Sequence, residues 1–415
     1  MAAGRKINVE SVDRPELAKH DSKNLDLAFA MDCTGSMGSY IEEAKNNIRR
    51  IVEEIVSSEK SDVRLALVEY RDHPPQDSTF VTRCHDFTSS PKTMKGWLSE
   101  SSASGGGDMP EAVADALHDL LKLNWREDAT KICVCISDAP PHGLGCGGDG
   151  FPDGCPDGID PMVVAHQLAE KGITIYMAGC EPSISPYKDF FMAVAYITGG
   201  QYVPMRKAQV LSKVIIGGAQ EELSLNQLMA EVDAEVQNRV QAGEDVNEDE
   251  VSDLLHQRWV SRGECVAQLQ MNNMELGGVY SSPEAKSYSK FKSFSDVRTN
   301  FKAKPTSFNG RREPECYTRS AAPKPSGGGI LNWMGSWFGG SSAGDAPMGA
   351  ASSPAPPPAL LSDDLMPRAM ASSHDMPFED EYNTVRTEVT KAQSSRLVKK
   401  VMAKHKIETT NIIHK

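Results

Sequence analysis

The stretch Asp32-Cys33-Thr34-Gly35-Ser36-Met37-Gly38 sets a carboxylate and two hydroxyls at alternate positions, directly after the apolar run Leu25–Met31. An acid at the end of a buried strand needs its charge compensated, because desolvating a carboxylate is costly. Oxygen donors two and four residues further on make Asp32, Thr34 and Ser36 a seat for a hard cation such as Mg²⁺. A second acid, Asp138, ends a second apolar run over 131–137. Helix capping is the competing account of the first acid, since Asp, Ser and Thr are favoured N-caps. It leaves Asp138 unexplained.

Directly after Asp138 comes an insert rich in Gly and Asp, residues 140–161. Its Asp149, Asp153, Asp157 and Asp160 resemble a calcium loop in spacing, although Phe151 sits where a ligand belongs. His142, Cys146 and Cys155 are zinc-type donors at an unusual spacing and lack a fourth. The insert is therefore expected to be a rim loop on the metal face that meets a partner, through His142, Asp149, Asp153 and Asp157, or shields the ion.

These residues need a frame. Ile41, Ala44, Ile48, Ile51, Val52 and Ile55 recur every three or four residues, which predicts a helix behind the first strand. Val63–Tyr70 reads as a strand, 78–87 as an edge strand, and 110–123 as a helix entered at Pro110. The run ending at Asp138 and two further helix–strand units complete the pattern. Strands alternating with amphipathic helices predict a doubly wound α/β fold with a mostly parallel sheet, whose ligands bind at the carboxyl ends of the strands. The expected organisation is a flexible segment over 1–22, this domain over 23–206 and a helical extension over 207–277. A disordered linker over 278–378 and a basic helix over 379–415 follow.

With these motifs in view, the sequence resembles von Willebrand factor A domains. "DCTGSMG" is similar to their metal-ion-dependent adhesion site, Asp-x-Ser/Thr-x-Ser before a helix. "DCTGSM", "GGGDMPEA" and "SDAPPHG" are similar to the A domain that accompanies atypical alpha-kinases of the von Willebrand type, although no kinase-like core is evident. The resemblance covers about Leu25 to Met205. It implies that Asp32, Thr34 and Ser36 hold Mg²⁺, or Mn²⁺ or Ca²⁺, with Asp138 acting through water. Where the family has a threonine in a third loop, this chain has Asp108; a one-residue shift puts Gly107 there instead. A third carboxylate would bind the cation more firmly and reduce its demand for a partner's acid.

The formal net charge of −13 excludes a general nucleic-acid binder, which needs clustered cations. The polar N-terminus, the absence of a membrane-length apolar run and the nine scattered cysteines point to a cytoplasmic setting. Within the linker, the island over 330–338 offers Trp333, Trp337 and Phe338 for docking to a protein or a membrane surface. In the last helix Arg396, Lys399 and Lys400 suggest contact with an acidic lipid surface or a calmodulin-like partner. Catalysis has little support, because Asp32-Cys33-Thr34 lacks the second carboxylate of Asp-x-Asp phosphotransferases. The expected function is a metal-bearing protein-binding module or scaffold. The alternative is a Mg²⁺-dependent enzyme, or an accessory factor in alpha-kinase signalling.

Overall fold

The computed structural model describes residues 23–279, 281–304 and 380–407. Strand β1 (Lys23–Asp32) leads into helix α1 (Gly38–Glu59), and β2 (Ser61–Tyr70) into the edge strand β3 (Thr82–Thr88). Helices α2 (Pro91–Glu100) and α3 (Val113–Leu120) precede β4 (Thr130–Ser137). Then α4 (Pro161–Glu170), β5 (Ile173–Cys180), α5 (Lys188–Ile197) and β6 (Gln201–Met205) alternate. These strands form one sheet, ordered β3-β2-β1-β4-β5-β6 and parallel except for β3. This is the expected doubly wound α/β fold.

The order reverses between β1 and β4, and such a switch point opens a crevice at the carboxyl ends of the strands. Asp32 ends one strand and Asp138 follows the other. Alternation along β1 sorts its side chains between two cores. Leu25, Leu27, Phe29 and Met31 join α1 on one face, while Ala28 and Ala30 join α3 and α4 on the other. The predicted stripe of α1 is buried, each isoleucine contributing roughly 1.5–3 kcal/mol.

The α/β domain does not close at residue 206. Helix α6 (Leu211–Leu225) packs with α1 against the sheet and buries Leu211, Val214, Ile215 and Ile216. A parallel sheet needs both faces covered, so α6 belongs to the domain. Next come α7 (Met229–Ala242), α8 (Glu248–Ser261), β7 (Cys265–Met271), β8 (Met274–Glu275) and the short α9 (Leu276–Val279). The extension is therefore not purely helical. Helices α10 (Pro283–Tyr288) and α11 (Phe294–Asn300) occupy the start of the expected linker. Ala285, Tyr288, Phe294 and Val297 anchor them in the core beside α4 and α5. A Ser- and Lys-rich composition conceals these four apolar anchors.

The chain returns as β9 (Tyr382–Glu388), antiparallel to β7, and α12 (Lys391–Lys404), which opens with a Thr390–Gln393 capping box. Arg396, Lys399 and Lys400 of α12 are not a docking surface. Arg396 Nη1 lies 3.1 Å from Glu221 Oε1, Arg396 and Lys400 both pair with Glu222, and Lys399 Nζ is 3.4 Å from Glu248. Glu221 and Glu222 are buried on α6, and the cations beside them offset the cost of burying acids. The positive charge that reads as a lipid- or calmodulin-facing stripe is spent inside the fold. Trp333, Trp337 and Phe338 lie outside the described residues. No described helix is long and apolar enough to cross a membrane.

Candidate metal centre

Asp32 is fully buried at the end of β1. The backbone N–H and hydroxyl of Thr34 donate to its Oδ1 at 2.9 and 2.6 Å, while Oδ2 has no hydrogen-bond partner. Burial, then the charge of Asp138, raises the Asp32 pKa to about 7. Asp138 is half-buried just beyond β4; burial raises its pKa, opposed by a hydrogen bond from Ser36. Ser36 is exposed in a single 3-10 turn that leads into α1. Thus Asp32, Thr34, Ser36 and Asp138 meet at the switch point.

The third loop departs from expectation. Helix α3 starts at Val113 rather than Pro110, because the backbone of Glu111 and Ala112 is bonded to neighbouring loops. The Glu111 N–H donates to Pro140 O at 2.9 Å, and the Ala112 N–H donates to Arg71 O at 2.8 Å. This turns Glu111 into the crevice. Its buried carboxyl is surrounded by Asp32, Asp72, Asp108 and Asp138; burial, then these charges, raise its pKa to about 11. Gly106, at φ +80°, allows the close approach: a Cβ there would lie 2.8 Å from Glu111 Oε1 and 3.5 Å from Thr34 Cβ.

Asp108 lies one step outward. Its Oδ2 accepts from Gly150 N–H at 2.6 Å, its Oδ1 has no partner, and burial together with neighbouring Asp72 raises its pKa to about 6. Asp72 comes from the loop after β2, which carries Arg71-Asp72-His73 at the carboxyl end of a third strand. Arg71 ties that loop to its neighbours, donating to Cys33 O at 3.1 Å and Ser102 O at 2.6 Å. Arg71, Asp72, His73 and Glu111 escape the sequence reading. Yet the rule that finds Asp32 and Asp138, polar residues just past an apolar strand, applies equally to "EYRDH".

The insert is not a calcium loop, because its acids diverge. Asp149 accepts from His142 at 2.8 Å and from Gly143 N–H at 2.7 Å, and exposed Asp153 pairs with Arg298 at 3.2 Å. Asp160 caps α4 through Met162 and Val163, and Asp157 is exposed on the rim. His142 is buried and so is not a contact residue for a partner. Its two nitrogens bond Asp72 at 2.7 Å and Asp149 at 2.8 Å. Burial opposes its charge, but the two carboxylates outweigh this and raise its pKa to about 9. The imidazolium thus offsets part of the acidic cluster and clamps the insert to it. Cys146 and Cys155 do not converge on His142 as a zinc set: the first packs in the core with Leu144, the second lies near His73.

A family model described as von Willebrand factor A domain matches residues 26–143, from β1 into the insert. The alpha-protein kinase vwkA of Dictyostelium discoideum is 34% identical over 160 residues, 37% of this chain and 25% of that protein. An ariadne-like RING finger protein of Acanthamoeba polyphaga mimivirus is 27% identical over 204 residues, 46% of this chain and 19% of that protein. The von Willebrand factor A domain-containing protein 7 of Rattus norvegicus is 41% identical over 91 residues, 22% of this chain and 9% of that protein. The chain therefore spans a quarter or less of the length of these relatives. Sheet order, the motif at the switch point and these matches agree: the chain carries a von Willebrand factor A domain, a module that generally mediates contacts between proteins.

Proposed function

We propose that this chain is a protein-binding module, or scaffold, whose recognition face surrounds a divalent cation at the carboxyl ends of β1 and β4. One observation carries the reading. Asp32, Asp72, Asp108 and Glu111 each leave one buried carboxylate oxygen without a hydrogen-bond partner. Buried acceptors without donors are rare in folded proteins, and a cation among them removes the deficit. Hard oxygen donors suit Mg²⁺, with Mn²⁺ or Ca²⁺ as substitutes. Asp32, Thr34, Ser36 and Asp138 would hold the ion, with Glu111 as a further carboxylate and Asp108 and Asp72 as its acidic surround.

Exposed Ser36 and half-buried Asp138 leave the centre reachable from solvent, so a partner's carboxylate could complete it. The acids already present satisfy much of the ion's charge, so the metal supports the fold at least as strongly as it bridges to a partner. Cys33 is fully buried, and burial followed by the charge of Glu69 pushes its thiol far above the ordinary value, which removes it as a nucleophile.

The test is affinity capture with the full chain in Mg²⁺, in EDTA, and with Asp32→Ala in Mg²⁺. The reading expects defined proteins retained only by the wild-type chain in Mg²⁺. An identical retained set in all three conditions would contradict it, and Mg²⁺-dependent phosphoryl transfer abolished by Asp32→Ala would favour an enzyme.

A further inference from the structure

His73, Asp115 and Cys155 form a cluster whose donors differ in chemistry from the hydroxyls and carboxylates around Asp32. They come from the loop after β2, the first turn of α3 and the insert. His73 and Asp115 are buried and Cys155 is half-buried. His73 Nε2 lies 3.0 Å from Asp115 Oδ2, Cys155 Sγ lies 3.3 Å from that oxygen, and Sγ lies 3.8 Å from Nε2. A tetrahedral zinc ion, with bonds of about 2.0–2.3 Å, holds N, O and S ligands about 3.4–3.6 Å from one another. The three observed edges bracket that separation. We propose that His73, Asp115 and Cys155 are a zinc site that fastens the insert to α3.

The neighbouring group of Asp108, His142 and Asp149 is a weaker candidate, because both nitrogens of His142 are already engaged by carboxylates. In the His73 cluster the thiolate–imidazole–carboxylate set matches zinc rather than Mg²⁺. Asp115 and Cys155 also line a cleft with Glu111, His142, Pro161 and Phe294. Without metal, Cys155 donates its S–H to Asp115, and burial, then that carboxylate, raises the thiol pKa to about 12. As the Zn–S bond forms, the thiol proton leaves to solvent, and no oxidation state changes. Zinc uptake is therefore weaker at low pH.

Cobalt(II) titration of the full chain reads the site directly. A thiolate-to-cobalt charge-transfer band should appear with the wild type and with Asp32→Ala, and zinc should abolish it. Cys155→Ser and His73→Ala should lose it. Absence of the band from the wild type, or its survival in Cys155→Ser, overturns the proposal. Because a variant can misfold, alkylation of the wild-type thiols, located by mass spectrometry, gives a second readout. Zinc should slow modification of Cys155 at least about tenfold, equivalent to about 1.4 kcal/mol of protection. No protection at Cys155 contradicts the site. Retention of the cobalt band in Asp32→Ala keeps this test separate from the Mg²⁺ centre.

Discussion

Glu111 decides the electrostatics of the crevice, because it is the carboxylate that faces Asp32, Asp72, Asp108 and Asp138 together. Its role is hidden in the sequence, where Pro110-Glu111-Ala112 resembles a helix entry; two backbone hydrogen bonds to other loops override that propensity. Asp32 and Asp138 were legible because each follows an apolar strand, and Asp72 was equally legible by that rule. Glu111→Gln keeps the shape and removes the ionisable carboxyl, which must lose its proton to serve a cation and which costs the metal-free fold stability by staying protonated. It should weaken Mg²⁺ binding about tenfold, or about 1.4 kcal/mol, while raising the melting temperature in EDTA. Lower thermal stability in EDTA would contradict the burial and electrostatic penalty on which this rests. Asp108→Thr, which restores the family residue, should weaken Mg²⁺ less than Glu111→Gln does. Unchanged affinity would remove Asp108 from the metal's surroundings. The pH response follows from Asp32 and Glu111, whose folded pKa values, about 7 and about 11, exceed the ordinary 3.8 and 4.5. The fold then holds protons that the unfolded chain has released. Their contribution to stability is full below about pH 4 and is lost as pH rises through 7 and beyond. In EDTA the melting temperature should fall between about pH 5 and 8, and saturating Mg²⁺ should flatten that fall. A flat profile in EDTA would refute it.

Among the elements, α1 follows its sequence closely, because a long amphipathic stripe leaves one way to bury it. Helix α12 shows the opposite case. Its composition reveals a basic amphipathic helix, but only the fold shows that Glu221 and Glu222 lie buried on α6, far away in sequence, and recruit Arg396 and Lys400. Strand β7 was likewise unreadable locally, since its partner β9 follows a long intervening segment. Arg396→Ala should therefore destabilise the fold by about 3–5 kcal/mol in urea denaturation, because it strands buried carboxylates. A change below about 1 kcal/mol, typical of surface ion pairs, would mean that the helix is loosely docked.

For the whole molecule, the A domain cannot be cut at residue 206. Helix α6 covers the sheet, α10 and α11 seal the opposite core, and α12 neutralises the acids of α6. A 23–206 fragment should lack the near-ultraviolet dichroism of a packed core, whereas the full chain should show it; native dichroism in the fragment would place the domain boundary where sequence alone puts it. The proposed function rests on the centre at the switch point, and calorimetric titration with Mg²⁺ tests that proposal most directly. The full chain should show saturable binding that Asp32→Ala abolishes while remaining folded by circular dichroism. Equal heats from both proteins, or none from the wild type, would mean that the Asp32 motif caps a helix and holds no cation.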